Sequence, residues 1–260
     1  MNENPKGICR LSVVAMRANP KNSSDLVSEL LFGEHYSVLD EKKEMVQIQL
    51  HFDNSVGWIN KNQHTPISEE YYNQVNLSDY KLCIDLSGTI FFQKKHVHIL
   101  FGSVLPIATN ELFKLEEQVA FNGESKSIAQ KREFEYLKEV MKKFLNAPFL
   151  PGGKTPFGID AGGFIQQVFK VCGYKLPRTI EEQRKCGHEV ENLDEMTPGD
   201  LVFSNNNLKT GYIFLGGDEY AGVYGGEVKK IGSIEIGDQP WSARRILLKK
   251  LIPEQAHPID

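Results

Sequence analysis

Thiols and imidazoles are the side chains of this 260-residue chain best suited to nucleophilic or metal chemistry. The four cysteines, Cys9, Cys83, Cys172 and Cys186, are dispersed, and none forms the Cys-x-x-Cys spacing of a zinc or redox site. Free, partly buried thiols are therefore expected, with no metal and no cofactor. Cys186 and His188 lie two apart in Lys185-Cys186-Gly187-His188, and a thiol near an imidazole can be activated to the thiolate. The stretch between Arg178 and Pro198 reads as a loop, so a structural role is expected for both. His96 and His98 share one face of an expected strand but have no third ligand nearby. Tyr71 and Tyr72, in Ser68-Glu69-Glu70-Tyr71-Tyr72, would either line a groove between domains or sit buried at a helix N-terminus.

Asp160 stands out for its position. A helix is expected from Ala161 to Cys172, where Phe164, Ile165, Val168, Phe169 and Cys172 form one apolar stripe, with Asp160 as the N-cap and Gly173 as the stop. An earlier helix starts near Lys131, carries Phe134, Leu137, Met141, Phe144 and Leu145 at helical spacing, and ends at Pro148. Strand-like runs follow the second helix at 200–203, 212–215, 220–224, 227–231 and 245–251. Helices first and antiparallel strands afterwards indicate an α+β domain over residues 124–260.

The part before residue 124 reads as strands. Met45 to Leu50 alternates, with Val46, Ile48 and Leu50 on one face and Gln47 and Gln49 on the other, the period-2 pattern of a half-buried strand. Turns at Asn19-Pro20 and Gly33 separate it from its neighbours, which suits a small β-barrel over residues 1–65. Further runs at 82–86, 89–92, 97–101, 104–108 and 112–121 suggest a second, divergent barrel over residues 75–123.

Two stretches carry a family resemblance. Phe149-Leu150-Pro151-Gly152-Gly153-Lys154-Thr155-Pro156-Phe157-Gly158-Ile159-Asp160-Ala161-Gly162-Gly163-Phe164 through Leu176-Pro177-Arg178, together with Pro198-Gly199-Asp200-Leu201-Val202-Phe203, resembles the NlpC-type papain-like cell-wall cysteine peptidases. Residues from Val13 to Ile59, through Met16-Arg17-Ala18-Asn19-Pro20 and Gly57-Trp58-Ile59, resemble the bacterial SH3-like domain. The combined arrangement is similar to the family's gamma-D-glutamyl-diamino-acid endopeptidases, which act on murein peptides with a free N-terminal L-Ala. The resemblance implies a fold of two small SH3-like β-barrels followed by a papain-like α+β domain.

Where members read Asp-Cys-Ser-Gly-Phe, this chain has Asp160, Ala161, Gly162, Gly163 and Phe164, so a methyl group stands at the nucleophile's position. The position of the family histidine falls on Thr210, or on Gly211 if the register slips by one, and that of the third polar residue on Gly222. Pro151 replaces a tryptophan of the family pattern. The resemblance thus implies loss of the catalytic set and a chain that is not an enzyme. It would bind a murein peptide or a protein partner in the remaining cleft, with murein hydrolysis by a relocated nucleophile, or a pure interaction scaffold, as alternatives. Asp160, Gly162 and Arg178 are its candidate ligand-binding residues, Asp160 for the peptide's free amine. Gly162, Gly163 and Gly222 are expected to widen the cleft.

Composition narrows the partners. Lys plus Arg at 30 against Asp plus Glu at 34 gives a net charge of −4, which provides no field for nucleic acid or an anionic membrane. No run of about 18 apolar residues occurs, so no membrane span is expected. Met1 to Arg10 lacks the apolar stretch of a signal peptide. A cytoplasmic location is expected, or an extracytoplasmic one if a leader has been removed.

Overall fold

The structure is a computed structural model that describes residues 4–92, 94–105, 120–233 and 240–247. Its N-terminal barrel contains β1 (Lys6–Ile8), β2 (Val13–Arg17), β3 (Leu26–Leu31), β4 (His35–Glu41), β5 (Met45–Leu50), β6 (Val56–Asn60) and β7 (Thr65–Ile67). They form one sheet in the order β3-β2-β6-β5-β4-β1-β7. The alternation read in β5 is realised, since Val46, Ile48 and Leu50 are buried with Val14, Met16, Leu30, Tyr36 and Ile59 while Gln47 and Gln49 stay half-exposed. Burying one face of each strand fixes the register, because a slip by one residue would expose the whole apolar set.

A helix, α1 (Glu69–Leu77), leads away from the barrel, and the Ser68 side chain caps it by accepting the Tyr71 N–H. Five short strands follow: β8 (Lys81–Cys83), β9 (Ser87–Phe92), β10 (Lys95–Leu100), β11 (Ala120–Asn122) and β12 (Ser125–Ser127). They make a three-stranded sheet, β10-β9-β11, and a two-stranded one, β12-β8. The second barrel expected here is met only as a compact β unit. Its core of Cys83, Ile90, Ile99 and Leu105 is completed by Phe32 from the first barrel, so the unit leans on its neighbour. Gly33, at φ +77°, makes that approach possible, because a Cβ there would lie 1.9 Å from the Val104 carbonyl oxygen. Most of the expected strands at 104–108 and 112–121 lie outside the described residues.

The C-terminal domain begins with α2 (Phe134–Lys142), then a hairpin of β13 (Lys154–Thr155) and β14 (Gly158–Ile159), then α3 (Ala161–Val171) and α4 (Ile180–Gln183). The strands β15 (His188–Val190), β16 (Leu201–Ser204), β17 (Gly211–Gly216), β18 (Glu219–Tyr224), β19 (Glu227–Gly232) and β20 (Trp241–Arg245) form an antiparallel sheet in the order β15-β20-β16-β17-β18-β19. Phe164, Ile165, Val168 and Phe169 of α3 pack on one face, against Leu201, Phe203, Ile213 and Ala221. Val202, Tyr212, Phe214, Tyr220 and Ala243 pack on the other.

Two expectations change here. The last strand among the described residues lies at Trp241–Arg245, four residues before the expected start of the 245–251 strand, and pairs with β16 through Val202↔Ala243; Ile246 and Leu247 are not in a strand, and residues 248–251 lie outside the described residues. The stretch between Arg178 and Pro198 is not simply a loop, for it holds α4, capped by Thr179, and β15, paired with the β20 edge. No helix among the described residues is long and apolar enough to cross a membrane.

Candidate functional site

The first turn of α3 faces strand β3 of the barrel, and the residues between them form the candidate site. Asp160 caps the helix as expected, with Oδ1 accepting the Gly163 N–H at 2.7 Å. Its Oδ2 accepts the Gly152 N–H at 2.9 Å. Arg178 adds a two-pronged ion pair, Nη1 to Oδ1 at 2.7 Å and Nη2 to Oδ2 at 2.9 Å. Planar guanidinium matched to planar carboxylate is the strongest form such a pair takes. Arg178 is only 4% exposed, and it also donates to the Gly153 carbonyl and to Ser28 Oγ on β3. It therefore clamps the helix N-terminus to the barrel, and the Asp160 charge is already balanced within the protein.

The glycines do not open space. A Cβ on Gly162 would lie 2.5 Å from the Arg178 carbonyl oxygen, and one on Gly163 2.4 Å from the Gly153 carbonyl oxygen. On Gly222 it would meet the Tyr212 ring at 2.4 Å. These are positions where backbone or a ring has already moved in, which corrects the expectation that they widen the cleft.

Ala161 is 8% exposed, and its methyl group joins the core beneath α3. Thr210 sits in the turn before β17, its N–H donating to the Asn207 carbonyl. Gly211 opens the strand itself, and a Cβ there would point at Ile180 and Phe203, on the α3 side of the sheet. Gly222 faces the opposite side, where Tyr212 packs. Of these positions, Ala161 and Gly211 share a face and Gly222 does not.

The barrel contributes a residue that sequence reasoning did not single out. Glu29 on β3 is half-buried, and its Oε2 accepts the Lys154 N–H at 2.6 Å. Burial pushes its carboxyl pKa above the usual range, against the pull of the Lys154 N–H and the charges of Lys154 and Arg178; nearby Asp160 pushes it further up. The signal was a lone charge inside the apolar run Leu26-Val27-Ser28-Glu29-Leu30-Leu31.

Behind the site lies a buried cluster of three charges. Glu34, from the turn after β3, meets Lys154 Nζ at 2.9 Å and Lys170 Nζ at 2.8 Å, and all three side chains are at most 3% exposed. Lys170 also donates to the Gly102 carbonyl, so the barrel, the middle unit and α3 meet at one carboxylate. Burial alone would raise the Glu34 pKa, but Lys154, Lys170 and the Leu31 N–H outweigh it and hold the group at about 2.

The other sulfur and nitrogen groups are elsewhere. Burial raises the thiols of Cys9 and Cys172 to about 12 and of Cys83 to about 11, and it raises Cys186 as well, helped by Glu182. None is poised as a thiolate. His96 and His98 are exposed on β10, and no group of three or more metal-ligating side chains occurs among the described residues. Tyr72 is buried against His35 and His51, while the Tyr71 hydroxyl accepts from Arg10, so the helical alternative holds for that pair.

Comparison with known proteins places this site in context. Residues 146–242 match the NlpC/P60 family, and residues 16–63 match the bacterial dipeptidyl-peptidase SH3 domain. A gamma-D-glutamyl-L-lysine dipeptidyl-peptidase of Bacillus subtilis is 27% identical over 227 residues, which span 81% of this chain and 73% of that protein. A probable endopeptidase NlpC homologue of Haemophilus influenzae is 33% identical over 100 residues, 38% of this chain and about half (54%) of its own length. The crystal structure of an NlpC/P60 family protein from Bacillus cereus superposes with a TM-score of 0.76 at 18% identity, covering 92% of this chain and 99% of that one. This likeness establishes the fold, a papain-like domain with an SH3-like domain. The expectation that the chain is not an enzyme is corrected by these relatives, which are named peptidases.

Proposed function

We propose that this chain, with its NlpC/P60 match over residues 146–242 behind a bacterial dipeptidyl-peptidase SH3 match, takes the peptide part of murein into the cleft between β3 and the N-terminus of α3. The supporting observation is the carboxylate of Glu29, presented from the barrel beside the Asp160–Arg178 pair. Asp160 is matched by Arg178, whereas Glu29 makes no direct ion pair among the described residues, so its carboxylate is the acceptor left for a peptide's terminal ammonium. Asp160, Gly162 and Arg178 then act as the wall of the cleft: Arg178 and Asp160 hold the helix start against the barrel, and Gly162 lets the Arg178 backbone close over it. The ligand expected is a short gamma-D-glutamyl peptide, the class that the name of the Bacillus subtilis relative points to, with the free N-terminal L-alanine that the family resemblance implies.

Hydrolysis of that peptide is the second reading, favoured by the relatives' names. Ala161 brings only a methyl group to the α3 N-terminus, so turnover would need a nucleophile from another position. Incubating the protein with L-Ala-gamma-D-Glu-L-Lys, with binding followed by calorimetry and cleavage by mass spectrometry, tests both readings. Saturable binding without released L-Ala-D-Glu supports recognition alone, and steady release of that dipeptide supports the peptidase. Neither binding nor release would reject the cleft as a murein-peptide site.

A further inference from the structure

Two imidazoles that the peptide cleft does not use are stacked at the seam between the barrel and α1. His35 opens β4 and His51 follows β5, and their rings lie 4.9 Å apart, centre to centre, within 25° of parallel. The Tyr72 ring of α1 meets both edge-on, at 5.2 and 5.6 Å. Its hydroxyl bonds His51 Nδ1 at 3.2 Å, and His35 Nε2 donates to the Asn76 carboxamide oxygen on the next turn of the same helix. Tyr72 and Val75 are the buried residues of α1, and so short a helix has little stability of its own. The imidazole pair therefore supplies much of what holds α1 to the barrel.

This arrangement accepts neutral imidazoles and opposes charged ones. With Nε2 committed as the donor to Asn76, a proton taken up on acidification goes to His35 Nδ1. That atom meets no hydrogen-bonding partner among the described residues, and His35 is 4% exposed, so the new N–H would be buried without an acceptor. It would also face cations. Lys170 of α3 lines the same cavity as His35, and Glu34 beside it is shared between Lys170 and Lys154, which leaves the three with a net positive charge. Tyr80, on the same cavity, is neutral, its hydroxyl pushed up to about 12 by burial. Against His51 stand Lys175, which donates to its carbonyl, and Lys6 of β1, which lies over the Tyr72 ring and 3.6 Å from Glu69. Burial foremost, then His51 and Lys170, hold His35 at about 4 against the pull of Asn76 and Glu34; burial, Lys175 and Lys6 lower His51 as well.

We propose that the His35–His51 stack is an acid-operated latch: neutral, it holds α1 on the barrel, and protonation of the pair releases the helix while the barrel and the papain-like domain stay folded. A histidine whose folded pKa is depressed contributes stability that is present above its unfolded value, about 6.5, and lost as pH falls through the folded one. With His35 at about 4 when latched and about 6.5 when released, the released state gains about twentyfold between pH 7 and pH 5 from this residue alone. Glu34, held at about 2, stays ionised over that interval and keeps the seam to the papain-like domain closed.

Amide exchange of the full chain, followed by mass spectrometry at pH 7 and pH 5 and corrected for intrinsic rates, tests the latch. Protection of α1 should fall about tenfold to thirtyfold, with β5 and α3 unchanged. In the double variant His35→Gln, His51→Gln, α1 protection should be the same at both pH values. Titration of the wild-type imidazoles by NMR needs no variant, and His35 should stay mostly neutral at pH 5. Equal α1 protection at the two pH values in the wild type, an equal fall throughout the chain, an unchanged fall in the double variant, or a His35 that titrates at about 6.5 would each overturn the proposal.

Discussion

Replacing Glu34 should disturb the molecule more than its single charge suggests. The carboxylate is 3% exposed and sits between two ammonium groups that are each 1% exposed, contributed by Lys154 and Lys170 from the other side of the domain boundary. With Glu34→Gln, two cations stay buried with no anion between them. Breaking a buried pair in this way costs about 3 to 5 kcal/mol, even where the intact pair contributes little net.

The same number can be approached from titration. Moving the carboxyl from its ordinary 4.5 to about 2 corresponds to about 3 kcal/mol of preference for the ionised form in the folded state, at about 1.4 kcal/mol per pH unit. Burial of Lys170 lowers its pKa and so offsets part of this. A depressed carboxyl contributes stability that is fully present above the unfolded value and lost as pH falls through the folded one. The contribution should therefore fade between about pH 4.5 and 2. Urea unfolding followed by circular dichroism, at pH 7 and at steps down to pH 3, measures both effects. Glu34→Gln should lose about 3 kcal/mol or more at pH 7 and show a flatter acid limb, and adding Lys170→Met should recover part of the loss. A Glu34→Gln protein within about 1 kcal/mol of wild type, with the same acid limb, would show that the three buried charges do not hold the domains together.

Three further outcomes follow from the site. Gly163→Ala should destabilise by about 1 to 3 kcal/mol in the same unfolding assay, because the added Cβ would lie 2.4 Å from the backbone oxygen of Gly153, which cannot swing away. Arg178→Lys keeps the charge but loses the fork that joins Asp160, Gly153 and Ser28, and should cost about 2 kcal/mol or more and loosen β3 from α3, seen as faster amide exchange in both elements. Peptide binding should weaken on acidification as Glu29 takes up a proton, at a pH above the usual carboxylate range, and Glu29→Gln should remove that dependence in calorimetry across pH 4 to 8.

What was legible beforehand follows a simple physical division. Asp160 as an N-cap, the apolar stripe of α3 and the alternation of β5 are local patterns within one turn or one strand, and each was found where it was expected. The short β15 was missed because three residues, His188 to Val190, carry no periodicity, and only pairing with β20 makes them a strand. Thr179 with Glu182 was a readable helix start that went unused. The contacts across the domain boundary were harder still. Glu34 meets Lys154 and Lys170 across 120 and 136 residues of chain, and Arg178 reaches Ser28 across 150, so nothing local announces them. Gly162 and Gly163 read as lost side chains, whereas the fold uses them for close backbone approach.

The cleft between β3 and α3 is proposed to receive a murein peptide through its free amine. Calorimetric titration of the wild-type chain with L-Ala-gamma-D-Glu-L-Lys and with its N-acetylated form tests this most directly. Saturable binding of the free peptide is expected, weakened about tenfold or more by acetylation and similarly by Glu29→Gln, since each removes one partner of a charge-assisted hydrogen bond. Equal affinity for the two peptides, or no binding of either, would contradict it.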